Sequence, residues 1–386
     1  MQQPTQYGAG WGAPRDTGPG GPVAGRGPLA PGARVAGTLI CLVLLGVEIA
    51  WVVRDIRAIG FHDTLWTWLG LQLPGAEHGL IATSGLDAVL LVVLIGGLAA
   101  ARRSSAGWAF VTVGVFAVGY RLSGLWIFTA DWADGAPLHD RALATCVAFV
   151  VGGLALILIG AAGRRPAGPF APAGPDAPPA PPRTGPAVVG GLLALAIGLE
   201  LAGWQFYYVQ KYDNPEYQPH LYKHLLTGER TLNALLSAPE AYGAWLTVLI
   251  ALATAAAAFA KSPAARPLGL ALGVTMFLNG VVGLDTWHTE KVLFKSKDLP
   301  TYILAQQSFE VFELVAGLLL LALLALRGAP RPTTLAPLPP TWAHPTAPPA
   351  WGYPPQPPTT PNGTFGPPPN LPPNLPPQPP QFPPGP

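Results

Sequence analysis

Gly46-Val47-Glu48-Ile49-Ala50-Trp51 lies near the end of the first long apolar run of the chain. Gly198-Leu199-Glu200-Leu201-Ala202, followed by Gly203-Trp204, lies near the end of the fifth. A carboxylate inside a lipid-spanning stretch is costly, so each glutamate marks a functional position by default. Its recurrence in the same local sequence points to a chain built from two related halves.

Composition agrees with a membrane location. Half of the 386 residues are hydrophobic and 11% are charged, against about a quarter charged in soluble domains. Eight apolar runs follow one another at about 35–53, 85–101, 107–128, 142–162, 187–208, 242–260, 266–285 and 308–326. Each is long enough, or nearly so, to cross a hydrocarbon core of about 30 Å. Only helices and closed barrels span lipid, and continuous apolar runs lack the alternation of a barrel. The expected fold class is therefore an all-α integral membrane protein with eight transmembrane helices and disordered Pro/Gly-rich termini.

Further matches extend the repeat. The glutamate motif recurs at an offset of 152, and Val93-Leu94-Ile95 matches Val248-Leu249-Ile250 at 155. Gly114-Val115 and Gly124-Leu125 match Gly273-Val274 and Gly283-Leu284 at 159, and Gly153-Leu154 matches Gly317-Leu318 at 164. The offset grows only between spans, as loop insertions would make it. Four spans is an even number, so the two repeats run the same way through the membrane and are parallel. The expected organisation is a disordered arm over 1–34, a first four-helix repeat over 35–163, and a Pro-rich cytoplasmic linker over 164–186. A second repeat over 187–327 and a disordered Pro-rich tail over 328–386 complete it.

Charge sets the orientation. The segments before span 1, between spans 2 and 3, 4 and 5, and 6 and 7, and after span 8 hold 12 Lys/Arg and 2 Asp/Glu. The other loops hold 9 Lys/Arg and 12 Asp/Glu. By the positive-inside rule both termini are cytoplasmic. Arg outnumbers Lys amid much Ala, Gly and Pro, the composition of a GC-rich bacterial genome, which predicts a bacterial cytoplasmic membrane. A net charge of +2 gives no reason to expect a nucleic-acid partner.

Counting inward from basic residues and loop ends gives depth. Glu48 is 14 residues beyond Arg34, Glu200 13 beyond Ala187, Arg121 14 beyond Gly107 and Asn279 13 beyond Arg266. Asp87 is 15 residues before Arg102, and Glu313 is 14 before Arg327. At 1.5 Å per residue all six fall roughly 20–22 Å from the inner boundary. Glu48, Glu200, Arg121, Asp87, Asn279 and Glu313 are thus expected to share one outward-facing acidic layer that binds a solute or cation or relays protons. Arg121 is the natural partner of Glu48. Its aligned position in the second half is Gly280, which leaves Glu200 only Asn279. The plainer reading makes Glu48–Arg121 a packing clamp and places Asp87 and Glu313 at the outer interface.

Two other groups bear on chemistry. His220-Leu221-Tyr222-Lys223-His224 puts two imidazoles one turn apart on a helix; with His288 they form a set suited to Zn or Cu. HxxxH without an adjacent glutamate is not a protease signature, and polar-loop histidines need no metal, so no cofactor is expected. Aromatics crowd the outer loops, as an interfacial belt or as roofing over the acidic layer. Cys41 and Cys146 lie in different spans and read as small apolar side chains. Three function classes follow in order: handling of a solute, cation or proton; a scaffold or sensor whose Pro-rich tail docks cytoplasmic partners; and an outer-face metal site or membrane enzyme.

Overall fold

The computed structural model describes residues 26–70, 81–166, 181–212, 220–295 and 300–325. Most of the expected arm, the middle of the linker and nearly all of the tail lie outside them. Ten helices occur among the described residues: α1 (Pro31–Ile59), α2 (Phe61–Trp68), α3 (Gly85–Ala100), α4 (Ala106–Ile127) and α5 (His139–Ala162), then α6 (Thr184–Tyr212), α7 (Leu221–Thr227), α8 (Glu240–Phe259), α9 (Ala265–Thr289) and α10 (Thr301–Ala325).

Seven of them are long and apolar enough to cross a membrane, which is compatible with a multispanning helical membrane protein. The eighth expected span is α3, an apolar helix of 16 residues. At 1.5 Å per residue it covers about 24 Å, short of a full hydrocarbon core. Its start is fixed by a capping box in which Ser84 and Asp87 satisfy each other's backbone ends. Two expectations at the domain edges change. Residues 26–34 are not wholly disordered: β1 (Arg26–Leu29) pairs antiparallel with β2 (Arg164–Pro166), and α1 begins at Pro31. The sixth helix likewise starts at Thr184, inside the expected linker, because no charge interrupts the run from there.

The first group of helices packs α1 on α3 and α5, and α4 on α3 and α5. The second packs α6 on α8 and α10, and α9 on α8 and α10. The short helices follow suit, α2 touching α1 and α3 as α7 touches α6 and α8. Between the groups, α3 meets α9, α8 meets α4, and α4 meets α9. Every one of these pairs maps onto another when the groups are exchanged, except α4–α9, which maps onto itself.

Glycines set the closest contacts. A Cβ on Gly153 would stand 2.9 Å from the Gly114 carbonyl oxygen, and one on Gly317 would stand 2.8 Å from that of Gly273. Gly114/Gly273 and Gly153/Gly317 are the pairs matched in sequence, and each stands where two backbones touch. Lipid tails are as apolar as leucine, and small residues that let backbones approach are how such helices adhere.

The C-terminal end of α1 is tied down by Asp55, which is wholly buried. Its carboxylate accepts from the Ala82 and Thr83 backbone N–H groups and the Thr83 hydroxyl at 2.7–3.2 Å, and Arg54 Nη1 lies at 2.6 Å. Asp55→Ala strands those buried donors. It is expected to cost about 3 kcal/mol, given about 1.5–3 kcal/mol for a hydrogen bond to a charged group, seen as a lower unfolding temperature in detergent.

Candidate functional site

Arg121 stands on α4 with its side chain fully buried. Nη2 donates to both carboxylate oxygens of Glu48 on α1, at 3.1 and 3.0 Å, and to Asp87 Oδ1 at the start of α3. Nη1 donates to the Leu236 carbonyl oxygen at 2.6 Å. The guanidinium also lies over the Phe149 ring of α5, 5.3 Å from its centroid. The other Asp87 oxygen accepts from the Ser84 N–H and hydroxyl at 2.5 and 3.0 Å. One arginine therefore joins all four helices of the first group to the segment before α8. Burial of ions is repaid only when geometry is good and the remaining lone pairs are bonded; Asp87 has the Ser84 donors besides the guanidinium, Glu48 has the guanidinium alone, and Arg121 Nε makes no hydrogen bond.

The second group differs at the corresponding places. Glu313 on α10 is 8% exposed and makes no hydrogen bond with a described residue. Glu200 on α6 and Glu310 on α10 are near enough for their charges to act on it, and no basic side chain among the described residues does so. Glu200 and Glu310 each keep one buried oxygen without a hydrogen bond, with the Trp204 indole beside Glu200 and the Trp287 indole beside Glu310. Trp204, one turn beyond Glu200, packs against the rings of Tyr207, Tyr208 and Phe309.

The sequence offsets locate the difference. At an offset of 159 Arg121 becomes Gly280; at 164 Phe149 becomes Glu313 and Cys146 becomes Glu310. The packing follows the same equivalence: a Cβ on Gly124 would strike Cys146, and one on Gly283 would stand 2.8 Å from Glu310 Oε1. At Gly280 a Cβ would come 2.6 Å from the Leu314 nitrogen and 2.7 Å from the Glu310 carbonyl oxygen. No arginine fits there. The second group has exchanged a base on a ring for a close backbone contact and two further acids.

The six residues expected in one layer thus divide. Glu48, Asp87 and Arg121 form one centre, and Glu200 and Glu313 belong to another. Glu48 pairs with Arg121 and lies beside Asp87, whereas Glu313 lies near Glu200 and Glu310. Asn279 is exposed on α9 and does not hydrogen-bond to Glu200. Glu310 is not among the residues expected in the layer; its spacing of three from Glu313, one helical turn, is the signal in the sequence that joins it to the site. Asp55 and the Leu236 carbonyl gave no such signal, since one lies beside Arg54 in a charged stretch and the other is backbone.

The histidines do not converge. His220 and His288 are exposed, and His224 Nδ1 lies 3.2 Å from Glu229 Oε2. Among the described residues no group of three or more His, Cys, Asp or Glu side chains is arranged to hold a metal ion. Comparison with protein-family models, with curated proteins and with solved structures finds no match to the chain.

Proposed function

We propose that the chain handles protons or small cations at the Glu200–Glu310–Glu313 centre, between two duplicated four-helix halves of which the first is a fixed support. The observation that carries this reading is a convergence of three carboxylates, two with buried unbonded oxygens, and no base among the described residues acting on them. Acids in the span region are expected to pair with one another or to mark an ion or proton path. Buried polar atoms without partners call for a ligand, an ion or a proton to complete them. The matching helix pairings and glycine contacts support the duplication. The basic turns 101–105 and 260–264 support an orientation with those turns in the cytoplasm of a bacterium, which puts the acids nearer the outer face.

The test is flux into liposomes carrying an internal pH dye, with an imposed proton gradient and, separately, gradients of sodium or potassium. The full chain is expected to dissipate at least one of these gradients. Glu313→Gln and Glu200→Gln should each slow that flux by roughly 10²-fold, the scale on which a positioned proton-transfer group acts. Both variants should insert normally and unfold at the same or a higher temperature, because a buried charge is removed. Normal flux in both variants, or no flux of any tested ion by the full chain, would count against the proposal.

A second reading has its own observation. The Glu48–Asp87–Arg121 centre is sealed and holds a base between its two acids, as a rigid scaffold requires. In that case partners of the Pro-rich tail, which lies outside the described residues, would carry the function.

A further inference from the structure

A cleft of about 310 Å³ opens between α3, α4 and α9, well apart from both charged centres. This volume is at the lower end of the range for ligand sites. Its floor is apolar, formed by Val93, Val113 and Ala271 among others, while Arg103 and Arg266 stand at its rim. Arg103 is exposed and has no ion-pair partner among the described residues; Arg266 donates to the Ala325 carbonyl oxygen at 2.9 Å. The cleft follows α3 from Ala100 back to Val92, about 12 Å along the axis. A ligand that fits has a slender apolar part of about that depth and an anionic group at the basic end.

We propose that this cleft binds one anionic phospholipid, with part of an acyl chain between the two halves and the phosphate between Arg103 and Arg266. Two observations favour a lipid over a free solute. The cleft lies within the apolar spans, where bilayer lipid is the surrounding solvent. Also, α3 is a short span, so the basic turn that follows it sits deeper than the edge of a full hydrocarbon core and draws headgroups inward. Basic pockets between transmembrane helices are a recognised way of holding acidic headgroups. Because the cleft is lined by α3 and α4 of one half and α9 of the other, the lipid would bridge the halves where they meet.

Gly96 offers a probe that spares the protein's own packing. It lines the cleft, and a Cβ there would meet nothing within 4 Å, so Gly96→Leu fills the space without a clash. The full chain in mild detergent would be titrated with phosphatidylglycerol, phosphatidylcholine or glycerol 1-phosphate and followed by native mass spectrometry and thermal unfolding. Phosphatidylglycerol alone is expected to remain bound and to raise the unfolding temperature. Arg103→Gln should weaken it about fivefold and Arg103→Gln with Arg266→Gln about 30-fold, from the usual strength of a basic residue near an anionic headgroup. Gly96→Leu should lose the bound lipid while unfolding at no lower temperature than the lipid-free parent. Equal binding of phosphatidylcholine, equal protection by glycerol 1-phosphate alone, or phosphatidylglycerol binding unchanged in both Gly96→Leu and the double arginine variant would each overturn the proposal.

Discussion

Arg121→Leu is expected to destabilise the protein by about 3–5 kcal/mol, the range for breaking a buried ion pair by removing one partner. The size comes from what remains behind. Glu48 and Asp87 are both fully buried, and without the guanidinium they face each other with no base. An ordinary interhelical hydrogen bond in a membrane protein is worth about 0.6 kcal/mol on average. A charge left in the middle of a span costs several times more, about 2.5–3.5 kcal/mol even on the mildest scale. The electrostatic penalty therefore decides the outcome, and the lost bonds add to it. The Leu236 carbonyl also loses its donor, so the segment before α8 should loosen. Denaturation by SDS or heat in detergent measures the loss. Combining Arg121→Leu with Glu48→Gln and Asp87→Asn should recover most of it, since replacing a whole buried ion cluster by neutral groups is often nearly neutral. An Arg121→Leu protein as stable as its parent would show that the cluster is not a clamp.

The second large effect lies at the helix contacts. Gly153→Leu and Gly317→Leu should each cost 3 kcal/mol or more, at or beyond the usual ceiling of about 1–3 kcal/mol for overpacking. Each new side chain meets backbone: the Gly114 carbonyl oxygen at 2.9 Å, beside Val118 Cγ2 at 2.8 Å, in one case, and the Phe277 nitrogen at 2.5 Å and the Gly273 carbonyl oxygen at 2.8 Å in the other. A flexible side chain could move aside, but a helix backbone moves only as a whole. The α4–α5 or α9–α10 pair must then separate along its length. Gly46→Leu is the control, because a Cβ at Gly46 meets nothing within 4 Å and leucine is the better helix former by several tenths of a kcal/mol. It should be neutral or mildly stabilising. A trypsin-resistance or detergent-unfolding series over the three variants separates a packing effect from a general dislike of leucine.

These two sets of residues show what could be read from the sequence. Continuous apolar runs gave helix type and approximate limits, since nothing but a helix satisfies the backbone in lipid. The offset matches named glycines that turn out to touch across helix pairs, because close approach leaves no choice of residue. Pairing of Glu48 with Arg121 followed from depth alone. Depth, however, is one coordinate. It placed Asn279 with Glu200, although the two face different ways around their helices, and a one-residue change on a helix turns a side chain by about 100°. It could not show that Glu310 reaches back to Glu313, or that a backbone carbonyl before α8 completes the arginine site. The length of α3 was also legible only in part: its apolar run stops early at Arg102-Arg103, but the capping box at Ser84 and Asp87 needs the three-dimensional turn.

The antiparallel pairing of β1 with β2, reinforced by a bond of 2.9 Å from the Ala30 N–H to the Gly163 carbonyl oxygen, joins the beginning of α1 to the end of α5. During synthesis this closes a loop of chain as soon as residue 166 has been made. At about 5–20 residues per second, the ribosome then needs several seconds to supply Leu236, the acceptor for Arg121 Nη1. For that interval Arg121 Nη1 has no Leu236 carbonyl to donate to. The arrival of the segment before α8 is in this sense a checkpoint. It tells the nascent protein, through a single carbonyl group, that its second half has come to the right place.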